Sequence, residues 1–399
     1  MKTILIILDS CGVGALPDAP LYDVEPGNTL GNLSRARGGL HLPLLESLGI
    51  GKITSVQGVA ADKPAIGAYG KMASQTHGKD TTAGHWEMAG VMLERPFPTF
   101  PNGFPKDFVT EFQKAIGTGT LGNVVASGTT IIEELGEAHL ETGYPIIYTS
   151  ADSVFQIAAH EEVVPLTTLY DWCLIARDML KGDLGVGRVI ARPFAGKPGN
   201  FKRTANRHDY SLDPIKPTIL ERMAAAGQQV ISIGKIKDIF NGKGITSSKP
   251  SISNADGIAK TMEAMDELTE GLIFVNLVDF DMLYGHRNNP IGYGDALEEA
   301  DRLLQPLAKR CCEEGYMLIL SADHGNDPTT PDTDHNREYV PLLVYGQDIK
   351  ENHDLGIRST FADVAATLAK RHHIPYEGPG SSFYEDITTG LCREGEFQV

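Results

Sequence analysis

The chain has 399 residues, 41% hydrophobic and 22% charged, a globular composition too long for one ordinary core, so two domains are expected. Lys and Arg number 35 against 52 Asp and Glu, a formal charge of −17, which argues against nucleic-acid and anionic-membrane binding because those surfaces select basic faces. Five cysteines offer neither a paired framework nor a zinc spacing, and no apolar run approaches the ~18 residues of a membrane span, so a cytoplasmic protein with reduced thiols is expected.

Residues 3–8 read as a first buried strand, since Asp9 interrupts the apolar run too early for a signal peptide. The strand delivers Asp9 into the polar turn Asp9-Ser10-Cys11-Gly12-Val13-Gly14, whose two glycines fall short of a nucleotide-binding fingerprint. Asp9 is more economically a metal ligand. The next informative stretch is Gly78-Lys79-Asp80-Thr81-Thr82-Ala83-Gly84-His85-Trp86-Glu87. One reading is a helix start capped by Thr81 or Thr82. The other is a threonine nucleophile at a helix N-terminus, where backbone N–H groups favour a phosphate.

Four prolines lie between Arg95 and Pro105, which excludes regular helix and interior strand. With the punctuation Asp213-Pro214-Ile215-Lys216-Pro217, they bracket an inserted domain over 96–215 and leave a discontinuous core of 1–95 and 216–399. Inside the insertion, Pro145–Ser150 reads as a strand leading to Asp152, Ser153 and Val154. Arg188, Arg192, Lys197, Lys202, Arg203 and Arg207 then cluster within twenty residues. They form either an anion site in an acidic chain or a solvated face with surface ion pairs.

Beyond Pro217 helix and strand alternate. A helix over Pro217–Ala226 stops at Gly227, and the strand Gln229–Gly234 delivers Lys235. An amphipathic helix is expected over Asp256–Glu270, then a strand, Leu272–Val278, running into Asp281 and His286. A helix over Asp295–Glu314 follows, with Asp295 and Glu298 as a capping box and a kink at Pro306. The short apolar run Leu318–Ser321 ends in Asp323-His324-Gly325-Asn326, and His335 comes eleven residues after His324. A strand at Val340–Tyr345 and a helix at Thr360–Lys370, capped by Thr360, complete the series.

This alternation predicts a mostly parallel sheet flanked by helices. Its strands carry Asp9, Asp281 with His286, and Asp323 with His324 to one edge, with His335 on the following loop. Oxygen and imidazole ligands without cysteine suit Mn²⁺, Zn²⁺ or Fe²⁺. Three aspartates and three histidines suffice for two cations about 4 Å apart, an arrangement that serves phosphoryl transfer.

These ligand blocks resemble the alkaline phosphatase superfamily. Within it, Gly78–Glu87, Tyr148–Gln156 and Arg203–Asp209 are similar to the phosphopentomutase family, and the likeness covers nearly the whole chain. Ala83 stands where another small or hydroxyl residue is expected. The resemblance implies an α/β fold, an alkaline-phosphatase-like core with a smaller inserted α+β cap domain for substrate binding. It implies one Mn²⁺ on Asp9, Asp323 and His324, a second on Asp281, His286 and His335, and Thr81 as a nucleophile carried as phosphothreonine. The implied reaction interconverts ribose 1-phosphate, or 2-deoxyribose 1-phosphate, with the 5-phosphate through a 1,5-bisphosphate. A sugar bisphosphate such as glucose 1,6-bisphosphate would prime it, within nucleoside and pentose phosphate catabolism. Ser150, Asp152 and Val154 would line the cap side, and Arg188, Arg203, Arg207 and Lys235 would hold the distal phosphate. A closing cap would keep water from the phosphothreonine. Pentose phosphates are the expected partners, with no obligate protein partner. The alternative is a metal-dependent phosphatase or phosphodiesterase sharing every ligand, but a simple hydrolase does not require the basic cap site. A cofactor-independent phosphoglycerate mutase would carry a serine nucleophile on a longer chain, and a non-catalytic binding module would lack a ligand or the nucleophile.

Overall fold

The computed structural model describes residues 1–23, 25–150 and 152–389. It divides into two compact units, Met1–Arg95 with Pro214–Val399, and Pro96–Asp213.

The first unit is built on an eight-stranded sheet. Its strands are β1 (Lys2–Leu8), β2 (Ala68–Met72), β9 (Gln229–Ile233), β10 (Ser247–Lys249), β11 (Gly271–Leu277), β12 (Tyr316–Ser321), β13 (Val340–Tyr345) and β14 (His353–Arg358), in the order β10-β9-β11-β1-β12-β13-β2-β14. From β10 to β12 every pair is parallel, and β13 runs antiparallel to both β12 and β2. Every residue of β11 and β12 is buried, as are six of the seven in β1, as expected of strands covered on both faces. β1 lies between β11 and β12 with Leu8 opposite Leu277 and Ile7 opposite Ser321. That register brings the carboxyl ends of three neighbouring strands out together, which is where open α/β sheets place their chemistry.

Several helix starts differ from the sequence reading. The long helix runs Pro290–Glu313, with Pro290 at its first position and Asn289 accepting the Gly292 N–H as cap. Asp295 and Glu298 therefore cap nothing; both pair with Arg37. The last long helix is Asp363–Arg371, and Thr360 instead donates its hydroxyl to the Glu87 carboxylate at 2.7 Å. Ser253 caps a helix over Asn254–Glu267, and Thr218 with Glu221 forms a full capping box on Ile219–Ala225.

The second unit holds a six-stranded mixed sheet: β3 (Leu121–Val125), β4 (Ile146–Thr149), β5 (Val154–His160), β6 (Arg188–Lys197), β7 (Asn200–Arg203) and β8 (His208–Ser211). Two apolar clusters flank it. In one, Phe104, Phe108 and Phe112 each meet Phe155 edge-on; in the other, Ile131, Ile132, Phe194 and Phe201 pack together. Strand alternation divides β6 accordingly, sending Val189 and Ala191 into the aromatic cluster and leaving Arg188, Ile190 and Arg192 for the opposite face. Cys11, Cys173, Cys311 and Cys312 are free thiols, and Cys392 lies outside the described residues. No helix among the described residues is long and apolar enough to cross a membrane.

Candidate active site

Asp80 decides how the Thr81–Met88 helix begins. Its carboxylate accepts the Ala83 N–H at 3.0 Å, so the cap is Asp80 rather than Thr81 or Thr82. The Thr81 hydroxyl is thereby left for other contacts, and it lies 3.1 Å from His324 Nε2. Gly84 sets how near this helix can come: a Cβ there would meet the Asp323 carbonyl oxygen at 2.1 Å. The loop leading in is clamped from both sides. Buried Glu87 accepts the Gln75 and Thr76 N–H groups, while buried Arg337 donates to the Thr76 and Gly78 carbonyls at 2.8 Å each.

Asp9, Asp323 and His324 form the first cluster. Ser10 takes a left-handed conformation, φ 70°, uncommon for any residue but glycine, and its N–H reaches Asp323 Oδ1 at 3.1 Å. Asn276 Nδ2 donates to Asp9 Oδ2 at 2.8 Å. Each carboxylate thus has one oxygen held. The other two, Asp9 Oδ1 and Asp323 Oδ2, are buried and lie 3.4 and 3.3 Å from His324 Nε2; Asp9 Oδ1 has no hydrogen-bond donor, and Asp323 Oδ2 faces the ring nitrogens of His324 and His85. Bare carboxylate oxygens converging in a dry site are costly unless a cation joins them, and the donor set fits a divalent metal. Burial, with the like charges of Asp323 and Asp281, holds the Asp9 carboxyl well above its ordinary value. Burial also raises Asp323, but His324 and His85 outweigh it and keep that carboxyl low.

Asp281, His286 and His335 form the second cluster. Asp281 rides on a short π-helical turn, Phe280–Tyr284, directly after β11. Its Oδ2 lies 3.1 Å from His286 Nε2, and its Oδ1 lies 3.4 Å from His335 Nε2 while accepting Asn326 Nδ2 at 2.8 Å. The two rings are oriented from behind, His286 Nδ1 on the Thr333 carbonyl at 2.7 Å and His335 Nδ1 on the Lys79 carbonyl at 3.0 Å. Burial raises Asp281, yet the bonds from His286 and His335 hold it far below the carboxylate range. The bond to Asp281 in turn lifts His286 to about 9. Candidate ligand atoms of Asp9, Asp281 and His324 also lie within 4.8 Å of one another, so Asp281 stands between the clusters. All six expected ligands and Thr81 come together. Asp80, Asn276 and Asn326, which orient them, stand in stretches singled out from the sequence but were given no role there.

In the second unit a cavity of about 340 Å³ is lined by Ser150, Asp152, Val154, Arg188 and Arg207, five of the seven expected substrate contacts. Arg203 does not line it; it sits exposed on β7. Lys235 belongs to the first unit, exposed at the start of the Ile236–Ile239 helix. Arg192 lines the cavity instead, as the alternation of β6 dictates. Arg207 is bound twice by Asp209 at 2.6 Å, whereas Arg192 donates to the neutral Gln156 at 3.0 Å. Burial and the like charge of Arg207 lower its affinity for its proton.

Residues 1–376 match the Metalloenzyme superfamily. A phosphopentomutase of Carboxydothermus hydrogenoformans is 57% identical over 386 residues, covering 97% of this chain and 99% of that one. Another, from Caldanaerobacter subterraneus, is 57% identical and covers 97% and 98%. The chain belongs to the phosphopentomutase family. Phosphopentomutases are isomerases acting as intramolecular phosphotransferases, and the chain is an enzyme of that class. Membership in a metalloenzyme superfamily agrees with a divalent metal held by Asp and His groups of this site. Among solved structures, the PH0037 protein of Pyrococcus horikoshii aligns at a TM-score of 0.49 and 14% identity, covering 95% of this chain and 98% of that one.

Proposed function

We propose that this phosphopentomutase interconverts ribose 1-phosphate, or its 2-deoxy counterpart, with the 5-phosphate through a phosphothreonine at Thr81. The supporting observation is the Thr81 hydroxyl 3.1 Å from His324 Nε2, on a helix whose cap is supplied by Asp80. In this reading the phosphoryl group on Thr81 passes to the free hydroxyl of the bound pentose phosphate. The P–Oγ bond breaks, a P–O bond to the sugar forms, and a 1,5-bisphosphate results. Attack by the Thr81 Oγ on the other phosphoryl group then regenerates phosphothreonine and releases the isomer. Asp9, Asp323 and His324 would hold one divalent cation, and Asp281, His286 and His335 the other. When bound, two such cations neutralise the charge of the transferring phosphoryl group and activate the threonine hydroxyl; Mn²⁺ suits the donor set. The Thr81 and Thr82 N–H groups at the start of the Thr81–Met88 helix would favour the same phosphoryl group, those of Ala83 and Gly84 being taken by Asp80. Ser150, Asp152, Val154, Arg188, Arg192 and Arg207 would bind the sugar and the phosphate not being transferred. A sugar bisphosphate such as glucose 1,6-bisphosphate would load an enzyme that has lost its phosphoryl group.

The test is turnover of ribose 1-phosphate with Mn²⁺ and a trace of sugar bisphosphate, following free phosphate in the same tube. Ribose 5-phosphate formed without phosphate release, and abolished in Thr81→Ala, is the expected result. Phosphate released in step with substrate loss would mark a hydrolase.

A further inference from the structure

His85 stands in the nucleophile segment, and the reaction above gives it no part. It is wholly buried, as is Asn276 on β11, and the two side chains form a bridge. Asn276 donates to Asp9 Oδ2 at 2.8 Å, and the same nitrogen lies 3.4 Å from His85 Nε2. On its far side His85 Nδ1 lies 2.9 Å from the Thr81 carbonyl oxygen and 3.1 Å from Asp323 Oδ2. A neutral imidazole carries one hydrogen. Placed on Nδ1, it serves both the Thr81 carbonyl and Asp323 Oδ2 while Nε2 accepts from Asn276. Placed on Nε2, it would oppose the amide hydrogens of Asn276 and leave a lone pair against the Thr81 carbonyl. The surroundings thus select one tautomer. Packing alone has no use for these polar atoms, since burying an imidazole and an amide costs desolvation that an apolar pair would avoid.

We infer that His85 and Asn276 are positioning residues that fix Thr81 relative to the Asp9 and Asp323 carboxylates. Asn276 stops Asp9 from rotating, which keeps its Oδ1 directed at His324. His85 pins the first turn of the Thr81–Met88 helix through the carbonyl of Thr81 itself. The inference rests on reading Thr81 as the nucleophile and the two carboxylates as cation ligands.

Amide isosteres separate this role from packing. The side-chain nitrogen of asparagine takes the place of Nδ1, and that of glutamine takes the place of Nε2. His85→Asn keeps the donor to Thr81, and His85→Gln discards it. Asn276→Leu removes the donor to Asp9 with little change in volume. In the metal-loaded enzyme His85→Gln and Asn276→Leu should lower kcat about 10–100-fold with KM for ribose 5-phosphate unchanged, while His85→Asn stays within a few fold of wild type. Calorimetric titration of Mn²⁺ into metal-free protein should show one of two sites weakened about tenfold or more in Asn276→Leu. Equal losses in His85→Asn and His85→Gln would assign His85 to packing and overturn the inference, as would wild-type Mn²⁺ binding by Asn276→Leu. Where the His85 variants fail to fold, the Asn276→Leu titration decides alone. Turnover surviving in Thr81→Ala would instead remove the underlying reading, and it would do so whatever the titrations show.

Discussion

His286 and His335 turn their Nε2 atoms toward each other across 3.1 Å, each with its Nδ1 committed to a backbone carbonyl. Two lone pairs so placed repel unless a proton or a metal cation lies between them. Without metal the proton wins near neutrality, because the bond to Asp281 lifts His286 to about 9. A cation must displace that proton. The apparent Mn²⁺ affinity of metal-free protein should therefore rise roughly tenfold per pH unit between 7 and 9 and level off above. The sign for the metal-free fold is opposite: this ion pair stabilises fully below about 6.5 and fades as pH rises through 9. Titrations in buffers of different ionisation enthalpy would count the released proton; a pH-independent affinity would refute the assignment.

Gly84 allows the Thr81–Met88 helix to lie against the Asp323 loop, with space that a Cβ would overrun at 2.1 Å from the Asp323 carbonyl oxygen. Gly84→Ala must push one against the other by an ångström or so. A displacement of that size at reacting groups costs on the order of 100-fold in rate. Steady-state kinetics with Mn²⁺ should show the loss in kcat, and a kcat within threefold of wild type would mean that the helix shifts without consequence.

Arg192 and Arg203 make a matched pair of tests, one lining the cavity of the second unit and one exposed on β7. A guanidinium bound to a phosphate contributes about 1.5–3 kcal/mol, so Arg192→Met should raise KM for ribose 5-phosphate roughly tenfold or more. Arg203→Ala should leave it within twofold. The reverse pattern would move the phosphate along the same face toward Arg203.

Glu338 is a wholly buried carboxyl, raised by that burial to about 7 although the Gly14 and Thr29 N–H groups and the Thr29 hydroxyl donate to it. A carboxyl raised in the folded state contributes stability that is complete below about 4.5 and is lost as pH climbs through 7. The change is roughly 3 kcal/mol. Urea denaturation at pH 5 and pH 8 should show that fall in the wild type, and Glu338→Gln should flatten it. An equal fall in the variant would place the effect elsewhere.

The candidate site was legible in the sequence where a candidate ligand closes an apolar run, as Asp9 and Asp323 do, because residue type and strand end are both local. Asn276 was not. It sits inside the run Leu272–Val278 and reads as one more strand residue until β1 pairs alongside and brings Asp9 to it. Arg192 carried an unused signal: Arg188, Ile190 and Arg192 alternate along β6, and a period of two would have selected it over Arg203. Asp295 and Glu298 satisfy a capping pattern as well as any true cap. Arg37, about 260 residues away and bound to both, and the His41 N–H, which donates to Glu298, explain why they are acidic. Thr360 likewise answers to Glu87, a tertiary partner that local propensity cannot weigh.

Lys2 stands opposite both Gly271 and Tyr316, so the central strand of the first unit finds its neighbours only late in the chain. On the ribosome β1 leaves the exit tunnel with both edges unsatisfied and waits while most of the protein is made. The second unit is under no such delay, since every partner of its six strands lies within Pro96–Asp213. It can close while residues beyond it are still being translated. An apolar strand with open edges is meanwhile a template for unwanted pairing, which makes nascent-chain protection a requirement for the first unit more than for the second. The part of the protein that is begun first is the part that must be finished last.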